Sequence, residues 1–157
     1  MKLVNLVFLR RGDQILLAMK KRGFGAGKMN GVGGKVNPGE SVEDAAVREA
    51  HEEIGVIIKP SDLVPVARLK FFFKDQPDWD IDCPTFFAYE WEGEPRESEE
   101  MNPEWVDVKQ IPFEKMWADD PYWLPSVIAG KKVEASFWFR GKGDGFDEYE
   151  IKGADLR

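Results

Sequence analysis

The chain has 157 residues, 43% of them hydrophobic and 13% aromatic, which suits one compact core and leaves little for a second, so residues 1–157 are expected to form a single domain. Acidic residues outnumber Lys and Arg by 29 to 22, and the formal charge of -7 excludes a broad electrostatic grip on a long nucleic acid; a polyanionic ligand needs local help such as a bound cation. Cys83 is the single cysteine, which excludes an intramolecular disulfide and a Cys-rich metal site and fits a reducing cytoplasm.

Leu3 to Leu9 and Gln14 to Met19 are apolar, β-prone runs joined by Arg11-Gly12-Asp13, the composition of a hairpin connection. The first run is too short for a membrane span and lacks a signal-peptide cleavage pattern, so a soluble, unprocessed protein is expected. Between Arg22 and Gly39 lie seven glycines, too many for a helix and suited to tight backbone turns near a ligand. Ser41 can cap the helix that follows, with Asp44 three residues on, and Gly55 can stop it, which places a helix at Val42 to Ile54.

Beyond the helix, Leu63 to Phe73, Thr85 to Trp91 and Glu104 to Val108 read as strands separated by turns at Gln76 to Asp80 and Gly93 to Pro103. Asp119-Asp120-Pro121 has the form of a helix start and Gly130 of its end. Val133 to Phe139 and Phe146 to Ile151 are the last strands. Strands mixed with two well-separated helices imply an α/β sandwich in which a sheet is covered on both faces.

The richest segment is Arg48-Glu49-Ala50-His51-Glu52-Glu53. Glu49, Glu52 and Glu53 stand at i, i+3 and i+4 on one helix face, beside an apolar stripe of Ala46, Ala50 and Ile54. Like charges at that spacing repel, and a divalent cation among them removes the repulsion. Glu side chains without His or Cys suit magnesium, although an acid-rich helix face is by itself commonly just solvated. The loop Gly33-Gly34-Lys35-Val36-Asn37-Pro38-Gly39-Glu40 runs straight into this helix and sets backbone donors and another carboxylate beside it. His51 falls on the opposite side of the helix, and Cys83 has no nearby partner, so neither is assigned chemistry.

Gly34, five residues, Glu40, seven residues, then Arg48-Glu49-Ala50-His51-Glu52-Glu53-Ile54-Gly55-Val56 resembles the Nudix box, with Ala50 in place of the usual larger aliphatic residue. The resemblance implies a Nudix-type α/β/α sandwich with a mixed sheet and a magnesium-dependent hydrolase, with manganese as a substitute ion. Glu49, Glu52 and Glu53 are then metal ligands, the Gly34 carbonyl completes the shell, Arg48 orients the glutamates, and Glu53 or Glu52 is the general base.

Lys20-Lys21-Arg22-Gly23-Phe24-Gly25-Ala26-Gly27, Asn30-Gly31, Glu97-Ser98-Glu99-Glu100-Met101, Ile111-Pro112-Phe113 and Met116 to Trp123 are similar to the MutT-type branch of that family, whose members hydrolyse oxidised purine nucleoside triphosphates. This likeness implies that Asn30, Asp119 and Asp120 hydrogen-bond the purine, that Phe24, Phe72, Trp117 and Trp123 wall the base, that Lys20 also contacts the substrate, and that Glu100 is an auxiliary metal ligand. On residue physics alone Asp119 and Asp120 are a cap, the aromatic residues are core, and Glu100 is solvated. Met29, Asn5 and Ile81 depart from that branch, as does the tail after Arg140. The expected partner is a small nucleotide, with no long nucleic acid and no membrane, acting on a monomer in the cytoplasm. Other Nudix substrates (ADP-ribose, dinucleoside polyphosphates, RNA 5' ends) and a non-hydrolysing Nudix module are the alternatives, the last disfavoured because Glu40, Glu49, Glu52 and Glu53 are all present.

Overall fold

Strand β2 (Leu6–Arg11) is where the two halves of the sheet meet, as seen in a computed structural model that describes residues 1–141, 143 and 145–155. Its first half pairs in parallel with β6 (Ile81–Ala88), Leu6 opposite Thr85 and Phe8 opposite Phe87, and β1 (Lys2–Leu3) extends the same parallel ladder. Its last two residues turn through Gly12, at φ 56°, into antiparallel β3 (Gln14–Lys20). Strand β3 carries β7 (Met101–Asp107) along one edge, and β2 followed by β4 (Met29–Asn30) along the other. On the far side of β6 come β5 (Leu63–Phe73), antiparallel to it, then β8 (Lys131–Phe139), parallel to β5, and finally β9 (Phe146–Asp155) at the edge. The sheet is therefore mixed.

Period-two alternation divides the buried side chains between its faces. Val7, Leu9, Leu16 and Ala18 point to one side and meet Ala46, Ala50 and Ile54 of α1 (Val42–Ile54). Phe8, Ile15 and Leu17 point to the other and meet Trp123, Leu124 and Val127 of α2 (Asp120–Ile128). Each helix thus buries its apolar stripe on its own face, which is the expected sandwich. Among the described residues no helix is long and apolar enough to cross a membrane.

Helix α1 begins and ends where its caps dictate. The Ser41 hydroxyl accepts the Asp44 N–H at 3.0 Å, and Gly55, left-handed at φ 77°, donates its N–H to the His51 carbonyl. Other expected boundaries move. The Leu3 to Leu9 run is broken between β1 and β2, around Asn5. The strand expected at Thr85 to Trp91 starts at Ile81 and stops at Ala88, because Ile81 to Pro84 pair with Phe71 to Arg68 in spite of the proline. The strand expected at Glu104 to Val108 begins at Met101, and the turn at Gln76 to Asp80 holds a 3-10 turn at Pro77–Trp79. Strand β4 is hidden in the sequence by the glycines around it.

Phe8 is fully buried and meets Phe87 edge-to-face at 6.2 Å and Trp123 at 6.1 Å, so one ring joins β2 to both β6 and α2. Phe8→Ala is expected to cost about 3–5 kcal/mol, seen as a lower urea midpoint at unchanged slope. A loss below about 1 kcal/mol would mean that the core is not packed through this ring.

Candidate active site

The glycine-rich segment is held as an irregular strand along the free side of β1 and β2. Val7 and Val32 exchange N–H···O bonds at 2.7 and 2.9 Å, Asn5 N–H donates to the Gly34 carbonyl at 3.0 Å, and Val36 N–H donates to the Leu3 carbonyl at 3.1 Å. The approach is too close for side chains. A Cβ on Gly31 would come within 2.7 Å of the Val7 carbonyl oxygen, and one on Gly33 would collide with the Asn5 carbonyl. Two glycines are thus required by backbone contact rather than by flexibility.

This docking fixes the α1 carboxylates. Gly33 N–H donates to Glu53 Oε1 at 3.2 Å, and Glu49 packs so tightly on Gly34 that a Cβ there would lie 2.7 Å from its carboxyl carbon. Arg48 grips Glu40 with Nε at 2.9 Å and Nη2 at 3.0 Å, and also reaches Glu49 Oε1 at 2.9 Å, Glu52 Oε2 at 3.4 Å and the Lys35 carbonyl at 3.1 Å. The Glu40 contact and the Glu49 charge raise the Arg48 pKa further, and Arg48 lowers that of Glu40. A guanidinium fork is the one side chain able to serve so many acceptors from one place.

The three helix glutamates grade from buried to exposed instead of converging. Glu53 is 2% exposed, Glu49 is half-buried and Glu52 lies in solvent at the rim. Among the described residues no three acidic, His or Cys side chains form a ready-made metal shell, because Arg48 draws Glu49 and Glu52 towards itself. The donor chemistry nevertheless fits a hard divalent cation. Glu53 Oε2 is buried without a hydrogen-bond partner, and burial, with the Glu49 and Glu100 charges beside it, pushes the Glu53 carboxyl up to about 9. An acid whose ionisation is opposed first by burial and then by neighbouring carboxylates is a site that positive charge would relieve. The Gly34 carbonyl fits less well than expected. It already accepts two donors, Asn5 N–H and Asn5 Nδ2 at 3.1 Å, which occupy both its lone pairs. Glu100, an exposed side chain 3.7 Å from Arg22, stands close enough for its charge to act on Glu53.

From Gly33 and Gly34 a cavity of about 230 Å³ runs inward between the sheet and α2. It brings together Lys20, Phe24, Asn30, Trp117, Asp119 and Asp120, six of the eight expected substrate contacts. Asn30 Oδ1 accepts the Gly31 N–H at 2.9 Å, which turns its NH₂ group free as a donor. Asp119 occupies the N-cap position of α2 but makes no capping bond; its Oδ2 instead accepts the buried Trp123 indole N–H at 2.9 Å. Asp119 and Asp120 are each 2% exposed, and Asp120 Oδ2 has no hydrogen-bond partner. Burial raises Asp119 to about 6, and burial together with the Asp119 charge raises Asp120 well above the usual carboxylate range. The capping explanation of this pair therefore fails.

Two expected wall residues are elsewhere. Phe72 points to the opposite sheet face and stacks on Trp138 at 5.2 Å, because alternation along β5 gives the cavity its neighbours Phe71 and Phe73. Trp123 is completely buried behind Asp119, where it holds that carboxylate without lining the cavity. Residues not anticipated there include Leu69, Met101 and Phe139; the period-two pattern of β5 and β8 was the available signal for Leu69 and Phe139. Cys83 also lines it, as a buried thiol pushed up to about 12 by desolvation and hence no nucleophile. His51 is exposed on α1.

The NUDIX domain family matches residues 2–127. The chain is 46% identical over 140 residues to the oxidized purine nucleoside triphosphate hydrolase of Danio rerio, covering 89% of this chain and 88% of that protein. It is 42% identical over 154 residues to the protein of the same name from Mus musculus, covering 98% and 96%. The crystal structure of a MutT protein from Bacillus halodurans is similar at a TM-score of 0.80, covering 97% of this chain and 98% of its own at 24% identity, which shows the fold alone.

The buried acid pair makes stability depend on pH. Its folded pKa values are raised, so its contribution is fully present below about pH 4, the unfolded value, and is lost as pH rises through about 6. For Asp119 alone the loss is on the order of 3 kcal/mol. Unfolding free energy of the ligand-free protein is expected to fall across this window, and to fall less steeply in an Asp119→Asn, Asp120→Asn double variant. Parallel pH profiles for the two proteins would show that the pair is not protonated in the fold.

Proposed function

The chain belongs to the Nudix family, and on that footing we propose that it hydrolyses oxidised purine nucleoside triphosphates, 8-oxo-dGTP first and 2-hydroxy-dATP beside it, to the monophosphate and pyrophosphate. Such an activity removes damaged precursors before a polymerase incorporates them. The observation that carries the reading is the pair Asp119 and Asp120, buried in the lining of an aromatic cavity that also includes Gly33, whose N–H donates to Glu53. The proposed working unit is a monomeric single domain in the cytoplasm that uses a small nucleotide and no long nucleic acid.

Oxidation gives a purine an added carbonyl and converts a bare ring nitrogen into an N–H. With one proton between them, Asp120 and Asp119 offer a donor beside acceptors, which matches a carbonyl next to an N–H, and the Asn30 amide adds another donor. Trp123 fixes Asp119, so Asp120 Oδ2 is the atom left for the ligand. Phe24, Phe71, Phe73 and Trp117 supply ring faces to the base, and Lys20, in the same lining, supplies a cation for the sugar or phosphates.

Members of the family use a divalent metal ion, and magnesium, with manganese as a substitute, is the ion proposed here; when bound it screens the phosphate charges and lowers the pKa of a water. Glu49, Glu53, Glu52 and Glu100 are the residues that would hold it, with the Gly34 carbonyl left to Asn5. Arg48 keeps Glu49 and Glu52 oriented. Glu53, or Glu52 as the alternative, accepts the proton of the attacking water; Glu53 Oε2 is unpartnered, and a cation beside it would offset the burial and the Glu49 and Glu100 charges that oppose its ionisation.

With magnesium, pyrophosphate release from 8-oxo-dGTP is expected at a kcat/KM well above that for dGTP. Glu53→Gln should lower kcat by about a thousandfold with the circular dichroism spectrum unchanged. Phe71→Ala should raise KM severalfold where Phe72→Ala does not. Equal turnover of 8-oxo-dGTP and dGTP would remove the pocket reading, and full activity in Glu53→Gln would remove the assigned role of Glu53.

A further inference from the structure

Phe24 is the most exposed ring of the cavity, at 49%, and its turn is tied to the neighbouring segment on one side by the Lys21 N–H, which donates to the Glu100 carbonyl at 2.8 Å. Gly23, Gly25 and Gly27 flank it with φ of 81°, 83° and 87°, and the turn closes on its own backbone through Ala26 N–H to the Gly23 carbonyl, Gly27 N–H to the Lys20 carbonyl and Lys28 N–H to the Gly25 carbonyl. Among the described residues no hydrogen bond ties this turn to the segment between β5 and β6, which lies across from it. What joins them is aromatic. Phe24 meets Trp79 at 5.5 Å and 64°, Phe73 at 6.5 Å and 73°, and Trp117 at 5.2 Å.

Of these three rings, Phe73 and Trp117 line the cavity and Trp79 does not. Trp79 touches Phe24 without lining the cavity, packs edge-to-face on Phe73 at 5.8 Å, and ends the short 3-10 turn Pro77–Trp79. That turn is pinned on both sides by the next residue. Asp80 Oδ1 accepts the Phe73 N–H at 2.9 Å, and the Asp80 carbonyl accepts the Lys2 N–H at 2.8 Å. Trp79, on a turn pinned by hydrogen bonds, is thus placed against Phe24, whose own turn is joined to it by aromatic contact alone.

We propose that Trp79 is a positioning residue for nucleotide recognition, which latches Phe24 over the cavity mouth through Phe73 and so forms the outer wall before the nucleotide arrives. This rests on the proposed use of the cavity for a purine base. Holding Phe24 in place beforehand removes an ordering loss from binding, so the effect belongs to affinity and KM and not to the hydrolytic step.

The test has a ligand-free arm and a ligand arm. Limited trypsin digestion, read by mass spectrometry, reports cleavage after Lys21, Arg22 and Lys28; Trp79→Ala should speed these cuts severalfold, and Trp79→Phe, which keeps a ring, should leave them near wild type. Calorimetric titration with 8-oxo-dGMP should show Trp79→Ala weakening binding about fivefold, the worth of one aromatic pair, with kcat unchanged and with no further loss when Phe24→Ala is already present. Trp79→Leu serves in place of the alanine variant if that protein does not fold. Unchanged digestion overturns the latch, and so does faster digestion with unchanged affinity, a loss that adds fully to Phe24→Ala, or a fall in kcat. Failure of the wild-type protein to bind 8-oxo-dGMP overturns the nucleotide reading instead, and the digestion arm still reports whether Trp79 holds Phe24.

Discussion

The site depends on one backbone contact, the docking of residues 31–36 against β1 and β2. The bonds between Val7 and Val32, Asn5 and Gly34, and Leu3 and Val36 hold an irregular segment at strand distance, and they exist only because Gly31 and Gly33 present hydrogen where any other residue has carbon. Glu53 reaches the Gly33 N–H from α1 on one side, and the cavity opens beside Gly31, Gly33 and Gly34 on the other. The segment is therefore both the floor under the carboxylates and the rim of the cavity, so phosphate chemistry and base recognition share one rigid reference.

Around that floor the chain concentrates unfavourable charge at two places. Glu53 and the pair Asp119 and Asp120 are nearly all the buried acid in the described residues, and each leaves one carboxyl oxygen without a partner. A buried unsatisfied polar atom costs about 1–3 kcal/mol, a large part of the net stability of a domain of this size. The cores on either side of the sheet offset that loss: Phe8, Phe87, Phe137 and Trp123 are fully buried on the α2 face, and Leu9 and Ile54 on the α1 face. Such defects in the lining of one cavity and directly behind its Gly33 have the pattern of a site whose missing partners are supplied from outside.

The legible parts of the sequence were those in which local rules and long-range packing agree. Helix α1 runs from Val42 to Ile54 as its caps predict, and β5 from Leu63 to Phe73 as its turn residues predict. Strand ends were less legible where pairing partners decide them, as at Ile81 to Pro84, whose partner strand lies earlier in the chain. Phe72 illustrates the limit for site residues. Three consecutive phenylalanines reveal an aromatic wall but not which ring faces it, and one residue of register moves a side chain to the other face. Trp123, expected to wall the base, lies behind Asp119 and outside the lining, because a donor behind a carboxylate and a ring beside a ligand look alike in sequence. The orphaned Asn5 oxygen and the double occupancy of the Gly34 carbonyl arise from contacts 29 residues apart, beyond any local pattern.

The acid pair shows why the tertiary setting must decide such cases. Asp-Asp-Pro before a helix has a sufficient local explanation, since a carboxylate at an N-terminus is favoured by the helix dipole and by free N–H groups. Here the chain spends neither carboxylate on capping. The Trp123 indole, one helical turn along, donates to Asp119 and stabilises its charge, whereas Asp120 is left with the negative field of Asp119 beside it. Two neighbouring residues of the same type, equally buried, are thereby held differently, although burial raises the pKa of both. The indole hydrogen bond fixes Asp119 Oδ2 as an acceptor and leaves Asp120 Oδ2 without a partner, a distinction that neither residue carries in its own chemistry.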